Sequence, residues 1–182
     1  MAGKMSRKTW LIVILAIVII AVGAAVGVAL NRNSASPSDS TLSIITWNET
    51  SLTDLQGVPV VLNFWSIDCS WCRYQLPFLE AVAQQGEGEL KVIAINMANS
   101  AAAIQKFFAD YEPAMTIAVD KNREAFRDYC VAYNNTGQAI PFTLFVDSEG
   151  TIQDKRIGAF ASEAQLWDTL NDVLGITVPQ TS

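Results

Sequence analysis

The sequence predicts an α/β fold with a mixed central sheet flanked by helices, preceded by one N-terminal transmembrane helix. Three observations predict it. From residue 60 onward, apolar runs of strand length alternate with stretches of helical periodicity. Late in the chain, two strand-like runs flank Asp147-Ser148-Glu149-Gly150, a turn cluster that makes a hairpin and therefore an antiparallel pair. Near the start, residues 10–30 (WLIVILAIVIIAVGAAVGVAL) run for 21 residues without a charge.

The elements follow in order. At ~1.5 Å per residue the apolar segment spans roughly 30 Å, the thickness of a bilayer core. Lys4, Arg7 and Lys8 precede it and no acid does. The positive-inside rule thus places residues 1–9 in the cytoplasm and the rest outside. A cleaved signal peptide is the rival reading, but the segment exceeds an h-region of about 7–15 residues. Residues 31–42 begin NRNSASPSDS, a polar, small-residue tether. Residues 43–178 form the globular domain. Within it, residues 60–66 (VVLNFWS) are a strand buried on both faces. Residues 69–84 turn helical, with Cys72, Leu76, Leu79 and Ala83 on one face and Pro77 inside, where it is expected to kink the helix. Residues 90–95 are a second strand. Ile104, Phe107, Phe108 and Tyr111 mark a helix by their i, i+3, i+4, i+7 spacing. Residues 115–119 make a short strand, and Phe126, Tyr129, Cys130 and Tyr133 repeat the helical spacing. Residues 142–146 and 151–157 are the hairpin, and Leu166, Leu170, Val173 and Leu174 close with an amphipathic helix.

Composition narrows the chemistry. The chain has 182 residues, of which 51% are hydrophobic and 16% charged. It contains no histidine, which removes a Ser-His-Asp triad, a Cys-His pair and every histidine-ligated metal site. Three cysteines are too few for a four-thiolate cluster. No metal and no cofactor is expected. The net charge of −6 joins two unlike parts, +3 over residues 1–30 and −9 over residues 31–182. An acidic exported domain does not attract nucleic acid, and its membrane contact is expected through residues 10–30 alone.

Cys69-Ser70-Trp71-Cys72 follows the buried strand and opens a helix. A helix N-terminus carries about half a positive charge and free N–H groups, so a thiolate there is stabilised. Cys69, at the exposed end, is expected to attack; Cys72, on the buried face, is expected to resolve the mixed disulfide. A zinc knuckle lacks two further ligands, and an inert disulfide across three residues closes too small a loop to stabilise much. Asp68 has two readings, a helix N-cap or a like charge that raises the Cys69 thiol pKa. Trp71 is either an exposed substrate platform or a core aromatic. Pro141, before a strand, is either a cis proline beside the dithiol or an ordinary strand-start proline. Cys130 lies among Phe126, Tyr129 and Tyr133 and reads as a buried small hydrophobe, with a regulatory thiol as the alternative.

The stretch from Leu52 through Asn63 and Trp65 to the CxxC and Pro77, with the later Ile140-Pro141 strand, Asp147, Gly150 and Gly158, resembles the TlpA/ResA-type membrane-anchored, extracytoplasmic thioredoxin-like oxidoreductases. The resemblance implies a thioredoxin-like fold, a redox-active Cys69–Cys72 disulfide and a substrate-binding surface at Trp71, Ile140 and Pro141. It implies reduction of protein or peptide disulfides outside the cytoplasm, as in cytochrome c maturation, with electrons from a membrane donor of the thiol-reducing type. Three positions depart from the family pattern: Asp68 replaces a tryptophan, Ser70-Trp71 lacks the usual proline, and Gln75 replaces a glutamate. Asn63 also stands where cytoplasmic thioredoxins carry a buried aspartate. Two other classes are carried as alternatives, a peroxiredoxin-like peroxidase and a thiolate copper(I)-binding redoxin. The first calls for Pro-x-x-x-Thr-x-x-Cys, which does not precede Cys69. Copper-delivery redoxins of this kind use a histidine, which the chain lacks.

Overall fold

A computed structural model describes residues 57–178. The transmembrane segment expected at 10–30, the tether at 31–42 and the opening of the domain expected at 43–178 lie outside the described residues. Among the described residues, no helix is long and apolar enough to cross a membrane. The elements are β1 (Val60–Trp65), α1 (Ser70–Gln85), β2 (Lys91–Asn96), α2 (Ala101–Phe107), β3 (Thr116–Val119), α3 (Glu124–Ala132), β4 (Phe142–Val146), β5 (Ile152–Ile157) and α4 (Glu163–Leu174).

The strands form one sheet in the order β3-β2-β1-β4-β5. β1, β2 and β3 run parallel, while β4 runs antiparallel to both β1 and β5. The sheet is therefore mixed, and the fold is thioredoxin-like. Every residue of β1 is buried, as an apolar run broken only by Asn63 requires. Val61 and Trp65 face a core built with α1, α2 and α4; Val60, Leu62 and Phe64 face a second core built with α3. β5 is the outer strand and carries Asp154, Lys155 and Arg156, charges that discourage edge pairing. In the hairpin, Asp147 Oδ1 accepts from the N–H groups of Glu149 (3.0 Å) and Thr151 (2.8 Å), and Gly150 takes φ +84°. α1 runs unbroken through Pro77 for 16 residues.

One expected helix is shorter than its periodicity suggests. Ile104 is buried, but α2 ends at Phe107, and Phe107 and Tyr111 are exposed at 40% and 47%. Pro113 biases Glu112 away from helical backbone, and the Tyr111 hydroxyl is drawn to Glu80 on α1. The segment after Phe108 thus turns across α1 instead of continuing the helix.

The register places the site. Trp65 ends β1 beside Asn96, the last residue of β2, and Phe64 pairs with Phe142, the first residue of β4. The chain leaving β1, the chain leaving β2 and the chain entering β4 therefore meet at one end of the sheet. That is the end where open α/β sheets place their functional groups.

Candidate active site

The link Ser66-Ile67-Asp68 carries β1 into α1. Cys69 is the N-cap of α1, in extended backbone, and its Sγ accepts from the Cys72 N–H at 3.1 Å. Asp68 is therefore not the cap. Its exposed carboxylate instead accepts from Asn99 Nδ2 at 3.0 Å. Cys69 and Cys72 form a disulfide with Cα atoms 5.2 Å apart. Cys72 is buried in the core with Leu76 and Leu79, while Cys69 is half-buried. The asymmetry arises because residues 72, 76 and 79 share the inward stripe of α1 and the N-cap precedes it.

Trp71 is exposed at 65% and meets Tyr74 edge-on at 5.9 Å; Tyr74 meets Phe78 edge-on at 5.3 Å. The Tyr74 hydroxyl donates to the Ala161 carbonyl at 2.8 Å, which ties this aromatic row to the chain entering α4. The Ile140–Pro141 peptide is cis, and the Ile140 carbonyl oxygen lies 3.8 Å from Cys69 Sγ. In the disulfide that sulfur has no proton to donate, so this is a contact and not a hydrogen bond. The fold thus brings Cys69, Cys72 and Ile140-Pro141 together and leaves Trp71 on the outer face of α1.

Cys130 belongs to the other core, across the sheet from Cys72. Burial pushes its thiol pKa up, against smaller opposite effects of Arg123 and Asn135. It is a free, buried cysteine.

The two positions without carboxylates hold engaged amides. Gln75 is fully buried, and its Oε1 accepts from the Phe160 N–H at 3.0 Å. Asn63 donates to the Thr143 hydroxyl at 2.9 Å, directly across the β1–β4 pair.

Three polar residues of the site escaped the sequence reading. Asn99 Oδ1 accepts from the Ile67 N–H at 2.9 Å and the Ser66 hydroxyl at 3.2 Å. Asn96, fully buried, caps the turn after β2 by accepting from the N–H groups of Ala98 (3.1 Å) and Asn99 (2.8 Å). Asn135 braces the approach to Ile140, donating to the Ala139 carbonyl at 2.9 Å and accepting from its N–H at 3.0 Å. One signal was available: Asn96-Met97-Ala98-Asn99-Ser100 is a turn-former cluster at the carboxyl end of a parallel strand.

Among curated proteins, the chain is 29% identical over 128 residues to the thioredoxin-like protein YneN of Bacillus subtilis, covering 69% of this chain and 71% of that protein. It is 27% identical over 123 residues to the thiol-disulfide oxidoreductase ResA of Oceanobacillus iheyensis, covering 67% of this chain and 60% of that protein. The chain thus spans less than two thirds of that ResA protein's length. Among solved structures, MTB DsbF, seen in mixed oxidised and reduced forms, superposes with a TM-score of 0.63 at 21% identity, over 76% of this chain and 97% of that one. Residues 36–155, which contain both cysteines of the CxxC and the Ile140-Pro141 segment, match the AhpC/TSA family. The chain belongs to the AhpC/TSA family, among the thioredoxin-like thiol-disulfide oxidoreductases of the TlpA/ResA type.

Proposed function

We propose that the chain is a membrane-tethered, extracytoplasmic oxidoreductase that reduces protein disulfides, drawing electrons from a membrane donor of the thiol-reducing type. Cytochrome c maturation is a setting that suits such an activity. The observation that carries the reading is the unequal placement of the two sulfurs: Cys69 half-exposed with an N–H aimed at it, Cys72 buried behind it. In the reduced protein the Cys69 thiolate attacks one sulfur of a substrate disulfide. That S–S bond breaks, the leaving thiolate takes up a proton, and a mixed disulfide forms. Cys72 then loses its proton and attacks Cys69 Sγ, releasing the second substrate thiol and leaving the Cys69–Cys72 disulfide. Two electrons have passed from the dithiol to the substrate.

Ile140 and Trp71 supply the substrate surface. The Ile140 carbonyl beside Sγ is an acceptor for a main-chain N–H of the substrate strand, and the exposed indole covers apolar groups flanking the substrate cysteine. What stabilises the thiolate supports the reducing direction. Ser70 and Trp71 stand between the cysteines, so stabilisation falls to the helix N-terminus and its N–H groups, against the charge of Asp68. The charge-free stretch 10–30, with Lys4, Arg7 and Lys8 before it, supports the tether and the orientation. The peroxidase alternative has less support, since Leu62 and Ser66 stand where its motif has proline and threonine.

Equilibration of the dithiol with glutathione tests the proposal. A potential near or below about −250 mV is expected, with insulin-disulfide reduction lost in Cys69→Ser and Cys72→Ser; a potential near about −120 mV would reverse the direction. Full insulin reduction by either variant would overturn the dithiol assignment.

A further inference from the structure

Asp68 poses a problem for its neighbour. A carboxylate one residue before a nucleophilic thiol opposes ionisation of that thiol. The carboxylate does not cap the helix, since Cys69 occupies that place. It is instead held by the turn after β2, where Asp68 Oδ2 accepts from Asn99 Nδ2 at 3.0 Å. The orientation of the Asn99 amide is determined by its surroundings. Its Oδ1 lies 2.9 Å from the Ile67 N–H, which can only donate, and so must be the oxygen. The nitrogen is left facing Asp68. Asn99 is in turn seated by the fully buried Asn96, whose Oδ1 accepts from the Asn99 N–H at 2.8 Å and whose Nδ2 donates to Asn99 Oδ1 at 3.2 Å. One side chain from the β2–α2 turn therefore does two things at once. It closes the link that delivers Cys69 to the helix N-terminus, and it fixes where the adjacent negative charge lies.

We propose that Asn99 is a positioning residue for the Cys69 thiolate, acting through Asp68: its N–H holds and partly offsets the carboxylate that would otherwise raise the thiol's cost of ionisation. This rests on the dithiol reading above. The charged residues next to Cys69 along the link and the first turn of α1 are Asp68 and, one turn on, Arg73. From the segment before β4 the uncharged Ile140 carbonyl lies against Cys69 Sγ, and from the turn after β2 the uncharged Asn99 amide reaches Asp68.

The test is the pH profile of alkylation of the reduced full chain by iodoacetamide, read peptide by peptide by mass spectrometry so that Cys69, Cys72 and Cys130 are separated. Asn99→Ala is expected to shift the Cys69 profile to higher pH and slow its alkylation at pH 7 by ~3-fold, the size of an unmasked neighbouring charge in a well-solvated site. Adding Asp68→Asn to that variant is expected to restore the wild-type profile. A role confined to closing the link would leave the double variant as slow as the single one. Asn99→Asp keeps the oxygen for the Ile67 N–H and so keeps the link closed; it is expected to slow Cys69 at least as much and carries the test where Asn99→Ala fails to fold. An unchanged profile in the folded Asn99 variants, or slowing that Asp68→Asn does not relieve, would overturn the proposal. Alkylation is read without any disulfide substrate, so this outcome is independent of whether the chain reduces insulin.

Discussion

Cys69 and Cys130 are the same residue type given opposite environments. Cys69 sits at a helix N-terminus with an N–H on its sulfur; Cys130 is 3% exposed among Phe126, Tyr129 and Phe142, and burial raises its thiol pKa. A thiolate is the reacting species, and the buried thiol pays both for ionising and for opening the fold to reagent. In the reduced native chain Cys130 is therefore expected to alkylate at least ~100-fold more slowly than Cys69, and to react readily only after unfolding. Comparable native rates would mean that Cys130 is a working thiol. At this scale the sequence was informative wherever the chemistry demands a fixed spacing. Cys69 and Cys72 were legible from their interval and from the strand before them. Asp68 was ambiguous, because a cap and an exposed charge read alike until the partner at Asn99, 31 positions later, is known.

The elements were legible where one periodicity dominates and blurred where side-chain hydrogen bonds take over. β1, β4 and α1 stand close to their apolar patterns, since core burial alone sets them. α2 was overread, because Tyr111 continues the helical spacing of Ile104 and Phe107 but is engaged by Glu80. That glutamate is the device that fixes the segment after α2. Besides the Tyr111 hydroxyl, it accepts from the N–H groups of Ala114 (2.8 Å) and Met115 (3.2 Å) and from Gln84 (2.8 Å). Burial pushes its carboxyl pKa up, but these four donors together outweigh burial and hold it below the usual range. Glu80→Ala strands the two backbone donors and is expected to cost about 2 kcal/mol at neutral pH. A carboxyl with a lowered folded-state pKa stabilises above its unfolded pKa and loses that contribution as pH falls through the folded value. The gap between wild type and Glu80→Ala in denaturant melts should therefore narrow below about pH 4. A gap that stays constant into acid would show that the carboxylate charge contributes nothing.

For the molecule as a whole, the groups with displaced pKa values among the described residues lie on the two flanks of the pH scale, with none of them in the middle. On the acid side Glu80 and Asp147 are lowered, the latter by backbone N–H groups and Gln153 that outweigh its own desolvation. On the alkaline side Tyr129, Tyr133 and Cys130 are raised chiefly by burial, and Tyr111 chiefly by its bond to Glu80. Raised groups stabilise below their unfolded pKa and lose that contribution as pH climbs through the folded one, so these act only above about pH 9. Between the flanks the side chain that ordinarily titrates is histidine, and the chain has none. With Cys69 and Cys72 joined, no thiol of the pair titrates either. The oxidised chain is therefore expected to hold its Tm level within about 2 °C from about pH 5.5 to 8, falling off on both sides. Reduction frees the Cys69 thiol at the start of α1. Its thiolate is favoured in the folded state by the helix N-terminus, so stability should rise with pH through its folded pKa, up to about pH 8.5. Calorimetry of the two redox forms across this range reads that difference directly. A slope already present in the oxidised form would place a further titrating site in the fold, and parallel curves for the two forms would mean that the helix N-terminus does not favour the Cys69 thiolate.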